Sequence, residues 1–164
     1  MIFDEIKAMF NKFAFISVRD NNSKNVLNEM GFEVCKHLDP VLVYDFCKDA
    51  KNPSIDIKDY IIVYAYTGRL STAERKRIKT FAKKYEKKIV SIGYYSDIAD
   101  YNIVCNPLEV FGYFKNADYI ITDTFHGTIF SIKMNSKFCT IIRDSNKNKL
   151  NDLLRTLERQ DRIA

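Results

Sequence analysis

The chain has 164 residues, the length of one ordinary domain. Hydrophobic residues make up 46% of it and charged residues 29%, a composition that can fill a core and excludes a disordered or fibrous protein. The net charge of +5 is mildly basic, and its densest run, residues 74–88, falls on one predicted helix with an apolar side. A solvated helix face explains this run, an anionic partner is the alternative, and we do not predict nucleic-acid binding.

The first third of the chain alternates between helical and strand patterns. Pro40 is expected to stop regular structure, and the polar loop over residues 45–58 is the best candidate for a boundary between 1–44 and 45–164. Before that loop we predict a helix over 2–12, a strand over 13–18, a helix over 22–30 that ends at Gly31, and a strand over 32–38.

From residue 60 onward, strand and helix patterns alternate regularly. We predict strands over 60–66, 88–93, 119–122 and 138–142, helices over 72–87, 107–116, 127–134 and 147–158, and irregular structure over 94–105. Helices of this length between strands imply parallel crossovers, and the continuous apolar runs are typical of strands covered on both faces. The predicted fold class is therefore α/β, a Rossmann-like parallel sheet with helices on both faces.

The cysteines and the N-terminal residues bear on the location of the protein. Cys35, Cys47, Cys105 and Cys139 have no metal-like spacing, so we predict no metal site. We predict that all four are reduced, which suits a cytoplasmic protein. The N-terminal stretch carries Asp4 and Glu5 and has no long apolar run, so we expect neither a signal peptide nor a membrane span.

A polar turn over residues 123–128 follows one of the predicted strands. Ligands of open α/β sheets bind beyond the carboxyl ends of the strands. Thr124 can cap the next helix, Gly127 lets the backbone come close to a bound group, and the first N–H groups of the helix favour an anion. His126 can reach the same anion or exchange a proton, because imidazole titrates near neutral pH. A capping or packing role for this turn explains the same residues equally well.

Three segments of the chain have motif-like sequences in a fixed order. Residues 17–20 read Ser-Val-Arg-Asp, residues 39–42 read Asp-Pro-Val-Leu, and residues 117–132 begin with Ala-Asp and contain Thr-Phe-His-Gly. These motifs resemble the Ser-Val-Arg-Asp/Glu, Asp-Pro-Val/Thr-Leu and Ser/Thr-x-His-Gly signatures of the polysaccharide pyruvyl transferase family. The last motif alone is moderately specific, whereas the three in order, across residues 13–158, make a strong match.

The resemblance implies both an architecture and a reaction. The expected architecture is one lobe of a two-lobe enzyme similar to the GT-B glycosyltransferases. The expected reaction, part of exopolysaccharide biosynthesis, transfers a pyruvyl group from phosphoenolpyruvate to a sugar of a cell-surface polysaccharide, forming a ketal and releasing phosphate. Phosphoenolpyruvate is then the donor substrate, a glycan is the acceptor, and no cofactor is expected.

The phosphate and carboxylate of phosphoenolpyruvate require fixed cations and N–H donors. Arg19, at a strand end, suits a bidentate grip on either group, and His126 is the best candidate for a proton donor to the leaving phosphate or to the enol carbon. Asp123 and Asp20 are candidates for a base that activates a sugar hydroxyl. The further candidates for substrate binding are Thr124, Gly127, Thr128, Lys147 and Lys149.

Structural roles are the alternative for several of these residues. Arg19 could pair with a nearby carboxylate, Asp39 could serve a turn, and Lys149 could be a surface lysine. His37 lies in a strand pattern and is more readily packed or edge-exposed than catalytic. A tyrosine cluster near a predicted strand end could stack on a sugar ring or cover a loop: Tyr94, Tyr95 and Tyr101.

The chain departs from the family pattern at its N-terminal side. Family members begin with a separate N-terminal lobe, so we interpret residues 1–44 as a remnant of that lobe or a link from it, with packing into the same sheet left open. We expect a homo-oligomer, or a partner that supplies the missing lobe. Two other functions remain as alternatives, a GT-B-like glycosyltransferase that uses a nucleotide sugar and a non-catalytic lobe that binds a partner.

Overall fold

The computed structural model describes residues 2–134 and 137–164, with the backbone alone at Cys47. Its N-terminal unit consists of α1 (Ile2–Phe10), β1 (Ser17–Val18), α2 (Asn21–Glu29), β2 (Cys35–Lys36), α3 (Pro40–Val43) and a 3₁₀ turn (Phe46–Lys48). β1 and β2 pair in parallel, with Val18 opposite Lys36, and form a two-stranded sheet of their own rather than joining a larger one. Residues 13 and 15 of the longer predicted strand are exposed, which limits the strand to its last two residues.

The rest of the chain forms the main α/β unit. In chain order its elements are β3 (Tyr60–Tyr64), α4 (Thr72–Lys84), β4 (Lys88–Ile92), β5 (Tyr101–Ile103), α5 (Pro107–Asn116), β6 (Tyr119–Thr122), α6 (Phe125–Lys133), β7 (Phe138–Thr140), α7 (Lys147–Thr156) and a final 3₁₀ turn (Gln160–Arg162). The five strands are all parallel and lie in the order β5-β4-β3-β6-β7.

Helices cover both faces of the five-stranded sheet. On one face, α4 packs Ile78 and Ala82 against the buried side chains of Ile61 and Val63. On the other face lie α5, α6 and α7, which contribute Phe114, Phe130 and Leu154 to the second core cluster. Alternate residues of β3 point to opposite faces, so the uninterrupted apolar run of this strand fills both cores. The predicted α/β fold with a parallel sheet and helices on both faces is confirmed.

Two local predictions are wrong. Residues 94–105 were predicted to be irregular, yet β5 forms there as a short edge strand that pairs with β4 alone, and only Ile103 of its three residues is buried. Pro40 was predicted to stop regular structure, yet it begins α3. Proline fits the first helical position, and the side chain of Asp39 caps this helix by accepting from the N–H of Val41 at 3.0 Å.

The N-terminal unit is fixed to α6 and α7 by polar contacts. The buried carboxylate of Asp152 on α7 accepts the backbone N–H of Asn21 at 3.0 Å and pairs with the Nζ of Lys36 at 2.7 Å. Lys133 on α6 donates to the carbonyl of Leu42 at 3.0 Å. With the N-terminal unit held in this way, Arg19 at the end of β1 lies over the ring of Phe125 in the first turn of α6.

Within residues 2–134 and 137–164, no helix has both the length and the apolar character required to cross a membrane.

Candidate functional site

The polar turn follows β6 at the carboxyl edge of the sheet, and Thr124 in this turn caps α6. The hydroxyl of Thr124 accepts the N–H of Gly127 at 2.9 Å, and the N–H of Thr124 itself donates to the hydroxyl of Thr122 at 3.1 Å. The first N–H groups of a helix have no intrahelical carbonyl partner. Since the cap uses the N–H of Gly127, the amides of Phe125 and His126 are the ones that α6 can offer to an anion.

Gly127 and Thr128 lie on the inner side of this helix start. A Cβ atom at Gly127 would lie 2.2 Å from the Oγ1 of Thr122, so glycine is required by the contact of helix and strand. Thr128 is fully buried and donates to the carbonyl of Thr124 at 2.9 Å. The two positions therefore hold the turn together, and the side chain of Thr128 faces the interior rather than a substrate.

Asp123 is also fully buried, and two arginines hold it. One oxygen of its carboxylate lies 3.2 Å from the Nε of Arg143 and 3.4 Å from the Nε of Arg69. The other oxygen, Oδ1, receives no hydrogen bond from the residues that the structure describes. Complete burial and the two arginine contacts favour a structural role for this carboxylate over that of a base.

Sequence reasoning missed these arginines. Arg143 follows β7, and its Nη1 and Nη2 donate to the two carboxylate oxygens of Glu74 at 2.7 and 3.0 Å. Hydrogen bonds from Arg143 are the main cause that lowers the pKa of Glu74, and the same contact raises the pKa of Arg143. The contact joins the start of α4 to the loop after β7, and only the fold brings these elements together.

Arg19 lies at the end of β1 on the opposite side of the turn. Its guanidinium pairs with the buried carboxylate of Asp39 and lies 5.6 Å from the centre of the Phe125 ring. Its side chain is still 44% exposed, so other N–H groups of the guanidinium face solvent. The predicted alternative, a carboxylate partner for Arg19, is thus present, and it orients the guanidinium without covering it.

A cleft of about 460 Å³ opens beside Arg19. Phe125 and Lys149 of α7 line it. Asp20 lines it as well, and its carboxylate also caps α2 by accepting the N–H of Ser23 at 2.8 Å. Lys147, which was predicted to share this role, instead pairs with Asp144 at 3.4 Å.

His37 lines the same cleft, which its strand pattern did not predict. Its backbone N–H donates to the carbonyl of Val18 at 2.9 Å, the ladder bond that brings the ends of β1 and β2 together. Parallel pairing of Val18 with Lys36 places the next residue of each strand, Arg19 and His37, at one edge. A signal was therefore available in the sequence for Arg19, which follows a predicted strand, but not for His37, which lies inside the predicted strand 32–38 although the observed strand ends at Lys36.

His126 contacts Phe125, which lines this cleft, and Phe130, which packs against the core. Its ring is exposed, 5.7 Å from the ring of Phe125 and 6.0 Å from the ring of Phe130. The structure therefore brings both Arg19 and His126 next to the ring of Phe125, at the carboxyl edge of the sheet. Two cationic side chains, two free amides and an exposed imidazole can bind an anion and exchange a proton with it.

A family model described as polysaccharide pyruvyl transferase matches residues 3–145, most of the 164-residue chain. The chain belongs to the polysaccharide pyruvyl transferase family. The match contains β1, the polar turn and Arg143, so the family resemblance of the motifs is confirmed. No curated protein and no solved structure matches the chain.

Other predictions for this pyruvyl transferase family member concern metals and cysteines. In the described part of the chain, no three His, Cys, Asp or Glu side chains lie together in a way that could hold a metal ion. Cys35, Cys105 and Cys139 are free, while the side chain of Cys47 lies outside the described residues. Burial raises the pKa of the Cys139 thiol, which makes this cysteine less reactive.

Proposed function

We propose that this chain forms the donor side of a pyruvyl transferase that uses phosphoenolpyruvate. The pyruvyl group goes to a sugar of a cell-surface polysaccharide in the cytoplasm, where it forms a ketal, and phosphate is released. The main support is the position of Arg19, which comes from a separate sheet and lies beside the first turn of α6. As in GT-B enzymes, we expect a second lobe or a second protein to close the site.

Each anionic group of phosphoenolpyruvate has a partner in this arrangement. Arg19, held by Asp39, binds the carboxylate or the phosphate with its exposed N–H groups, because a guanidinium matches both geometries. Lys149 adds a mobile positive charge across the cleft. The free amides of Phe125 and His126 supply N–H donors at the positive end of the helix dipole. Pairing both anionic groups with cations makes the central carbon more open to attack by a hydroxyl and stabilises the departing phosphate.

The reaction requires one proton to reach the donor at the right atom. In the proposal, His126 protonates the methylene carbon of phosphoenolpyruvate, which becomes the methyl group of the product. Two sugar hydroxyl oxygens form bonds to the central carbon, and the bond from that carbon to the phosphate oxygen breaks. One hydroxyl proton restores His126 and the other leaves with phosphate, so atoms and charge balance.

Thermal unfolding with and without phosphoenolpyruvate tests the donor site. Ligand that binds only the folded chain raises the melting temperature according to its free concentration and affinity. We expect a shift at millimolar phosphoenolpyruvate, and we expect Arg19→Ala and His126→Ala to remove it. Arg155→Ala, which removes an exposed arginine of α7, is the matched control and should keep the shift.

Two outcomes would contradict the proposal. If millimolar phosphoenolpyruvate does not shift the melting temperature, this chain lacks a competent donor site. If nucleotide sugars shift it while phosphoenolpyruvate does not, the glycosyltransferase alternative is favoured, since the start of a helix can hold a diphosphate as well as a phosphate. Phosphate release in the presence of an acceptor glycan extends the test to the reaction.

A further inference from the structure

The order of the five strands reverses at β3. From this central strand the chain proceeds to β4 and β5 on one side, and later to β6 and β7 on the other side. α4 covers one face and α6 the other, and the loop after β3 meets the turn after β6 through Arg69, whose Nε lies 3.4 Å from Asp123. A crevice at such a reversal point is the usual ligand site of open α/β sheets. Phe125 of the turn after β6 also lines the Arg19 cleft, so the crevice borders the proposed donor site.

Four aromatic side chains contact one another in a row at this edge of the sheet, from α6 past the end of β3 to the loop after β4. We name Tyr64, Tyr66, Tyr94 and Phe130 the aromatic surface. Starting from His126, successive ring centres are 6.0 Å apart to Phe130, 6.2 Å to Tyr64, 5.6 Å to Tyr94 and 4.8 Å to Tyr66. Tyr66 is 45% exposed, and Tyr94 and Phe130 are partly exposed. The surface therefore reaches from the proposed proton donor to solvent.

Arg69 holds the outer end of the aromatic surface in place. Its guanidinium lies 5.1 Å from the centre of the Tyr66 ring. Its Nε contacts Asp123, and its Nη2 donates to the hydroxyl of Ser145 at 2.8 Å. Arg69 occupies one side of Tyr66, and Tyr94 meets the same ring at an interplanar angle of 72°. The tyrosine is thus fixed from two directions while almost half of its surface stays open.

We infer that the aromatic surface binds a pyranose ring of the acceptor glycan, with two of its hydroxyls directed toward His126. This inference rests on the proposed pyruvyl transfer, since it supplies the acceptor side of the same reaction. The donor would then enter from the Arg19 cleft and the acceptor from the reversal crevice, with the imidazole between them.

The chemistry of the crevice favours a sugar over other flat ligands. The C–H face of a pyranose packs against the electron-rich face of a tyrosine, and the tyrosine hydroxyls bind the sugar hydroxyls at the rim. Burial raises the pKa of Tyr64 to about 12, so this phenol stays neutral and can donate. The charges of Arg69 and Arg143 are balanced by Asp123 and Glu74, which leaves little net charge to attract an anion.

Saturation-transfer NMR on the full chain tests the inference with a panel of methyl β-galactopyranoside, methyl β-glucopyranoside and methyl α-mannopyranoside. We expect at least one glycoside to receive saturation at its ring C–H protons. Tyr66→Ala should weaken its binding about tenfold, which corresponds to about 1.4 kcal/mol for the lost aromatic contact. Tyr66→Leu, which keeps apolar volume without a flat ring, should do the same and serves if the alanine variant unfolds.

Matched variants separate this inference from the proposed function. Tyr85→Ala removes a tyrosine at the end of α4 that is 43% exposed, nearly as much as Tyr66, and should leave glycoside binding unchanged. His126→Ala should abolish the shift in melting temperature by phosphoenolpyruvate but keep glycoside binding. Tyr66→Ala should keep that shift and weaken glycoside binding. The inference is overturned if no glycoside receives saturation, if Tyr66→Ala and Tyr66→Leu bind normally, or if uridine displaces the glycosides, which would assign the surface to a nucleoside.

Discussion

Neighbouring residues at the polar turn face in opposite directions, some toward the protein interior and one toward solvent. Thr122 donates its hydroxyl to the carbonyl of Tyr64 at 2.7 Å, which links β6 to β3. Thr124 turns its side chain inward to cap α6, and Gly127 leaves room for both threonines. His126, between these inward positions, points outward and is exposed. The turn thus combines a rigid inner side with one reactive group on its outer side.

Substitution of Gly127 by alanine tests the rigid side. The added Cβ would come within 2.2 Å of the Oγ1 of Thr122, and this oxygen is held by its hydrogen bond to β3. Overpacking of this kind typically lowers the free energy of unfolding by about 1–3 kcal/mol. Urea denaturation followed by circular dichroism measures the loss. His126→Ala is the control and should change stability by less than about 0.5 kcal/mol, as usual for surface positions.

Equal stability of Gly127→Ala and the unmodified chain would mean that the glycine serves only ligand access. In that case the alanine variant should fail to bind phosphoenolpyruvate while it unfolds normally. The two readouts therefore assign the glycine either to the fold or to the ligand.

Sequence reasoning found some of these residues and missed others for a physical reason. Arg19 and His126 could be found because each follows a strand pattern, and strand ends of a parallel sheet collect at one edge. Arg69 and Arg143 could not be found in this way. They meet at Asp123 because β3, β6 and β7 are neighbours in space, and nothing local in the sequence states that order.

At the scale of elements, α4 depends on a capping box that is also part of the arginine network. Ser71 accepts the N–H of Glu74 at 3.2 Å, and the Glu74 carboxylate accepts the N–H of Ser71 at 2.7 Å. Arg143 binds the same carboxylate from beyond β7. A single ionised group therefore caps a helix and ties it to the far side of the sheet.

Replacement of Glu74 by glutamine should change how stability depends on pH. The folded-state pKa of Glu74 lies below its ordinary value of 4.5 because of Arg143, so the carboxylate stabilises the fold above that value. This contribution is lost as the pH falls through the lowered pKa. We expect Glu74→Gln to be less stable by about 1–2 kcal/mol at neutral pH, the usual size for a charged hydrogen bond with a cap.

The pH dependence of the stability difference shows whether the charge or the shape of Glu74 is responsible. On acidification, the difference between the unmodified chain and Glu74→Gln should shrink, measured as the urea midpoint at successive pH values. Glu29→Gln, at an exposed position of α2, should follow the unmodified chain throughout. A difference that stays constant down to strongly acidic pH would show that shape, rather than charge, accounts for the effect of Glu74.

The shortest elements were the hardest to predict. β1 and β2 have two residues each, and β5 has three, two of them exposed. Apolar periodicity needs a longer stretch, so it overestimated the first two strands and missed the third. The long central strands were predicted nearly to the residue because burial on both faces gives them an uninterrupted apolar run.

At the scale of the whole molecule, α1 presents an apolar face to solvent. Ile2, Phe3 and Met9 are 75%, 56% and 63% exposed, and Phe13 and Phe15, which follow the helix, are 64% and 70% exposed. Monomeric proteins rarely leave such a continuous apolar patch uncovered. The patch lies on the N-terminal unit, which also carries Arg19, so a partner that covers it would lie on the same unit as the proposed donor cleft.

We therefore expect the chain to self-associate through α1. Light scattering should give a mass well above the 19.2 kDa of one chain, and Phe3→Glu or Met9→Glu should return it to that value, because a charge buried at an interface is strongly unfavourable. Val104→Glu is the matched control, since Val104 is 94% exposed but follows β5 in the main unit. A monomer at high concentration would contradict self-association, and a loss of mass with Val104→Glu would place the contact elsewhere.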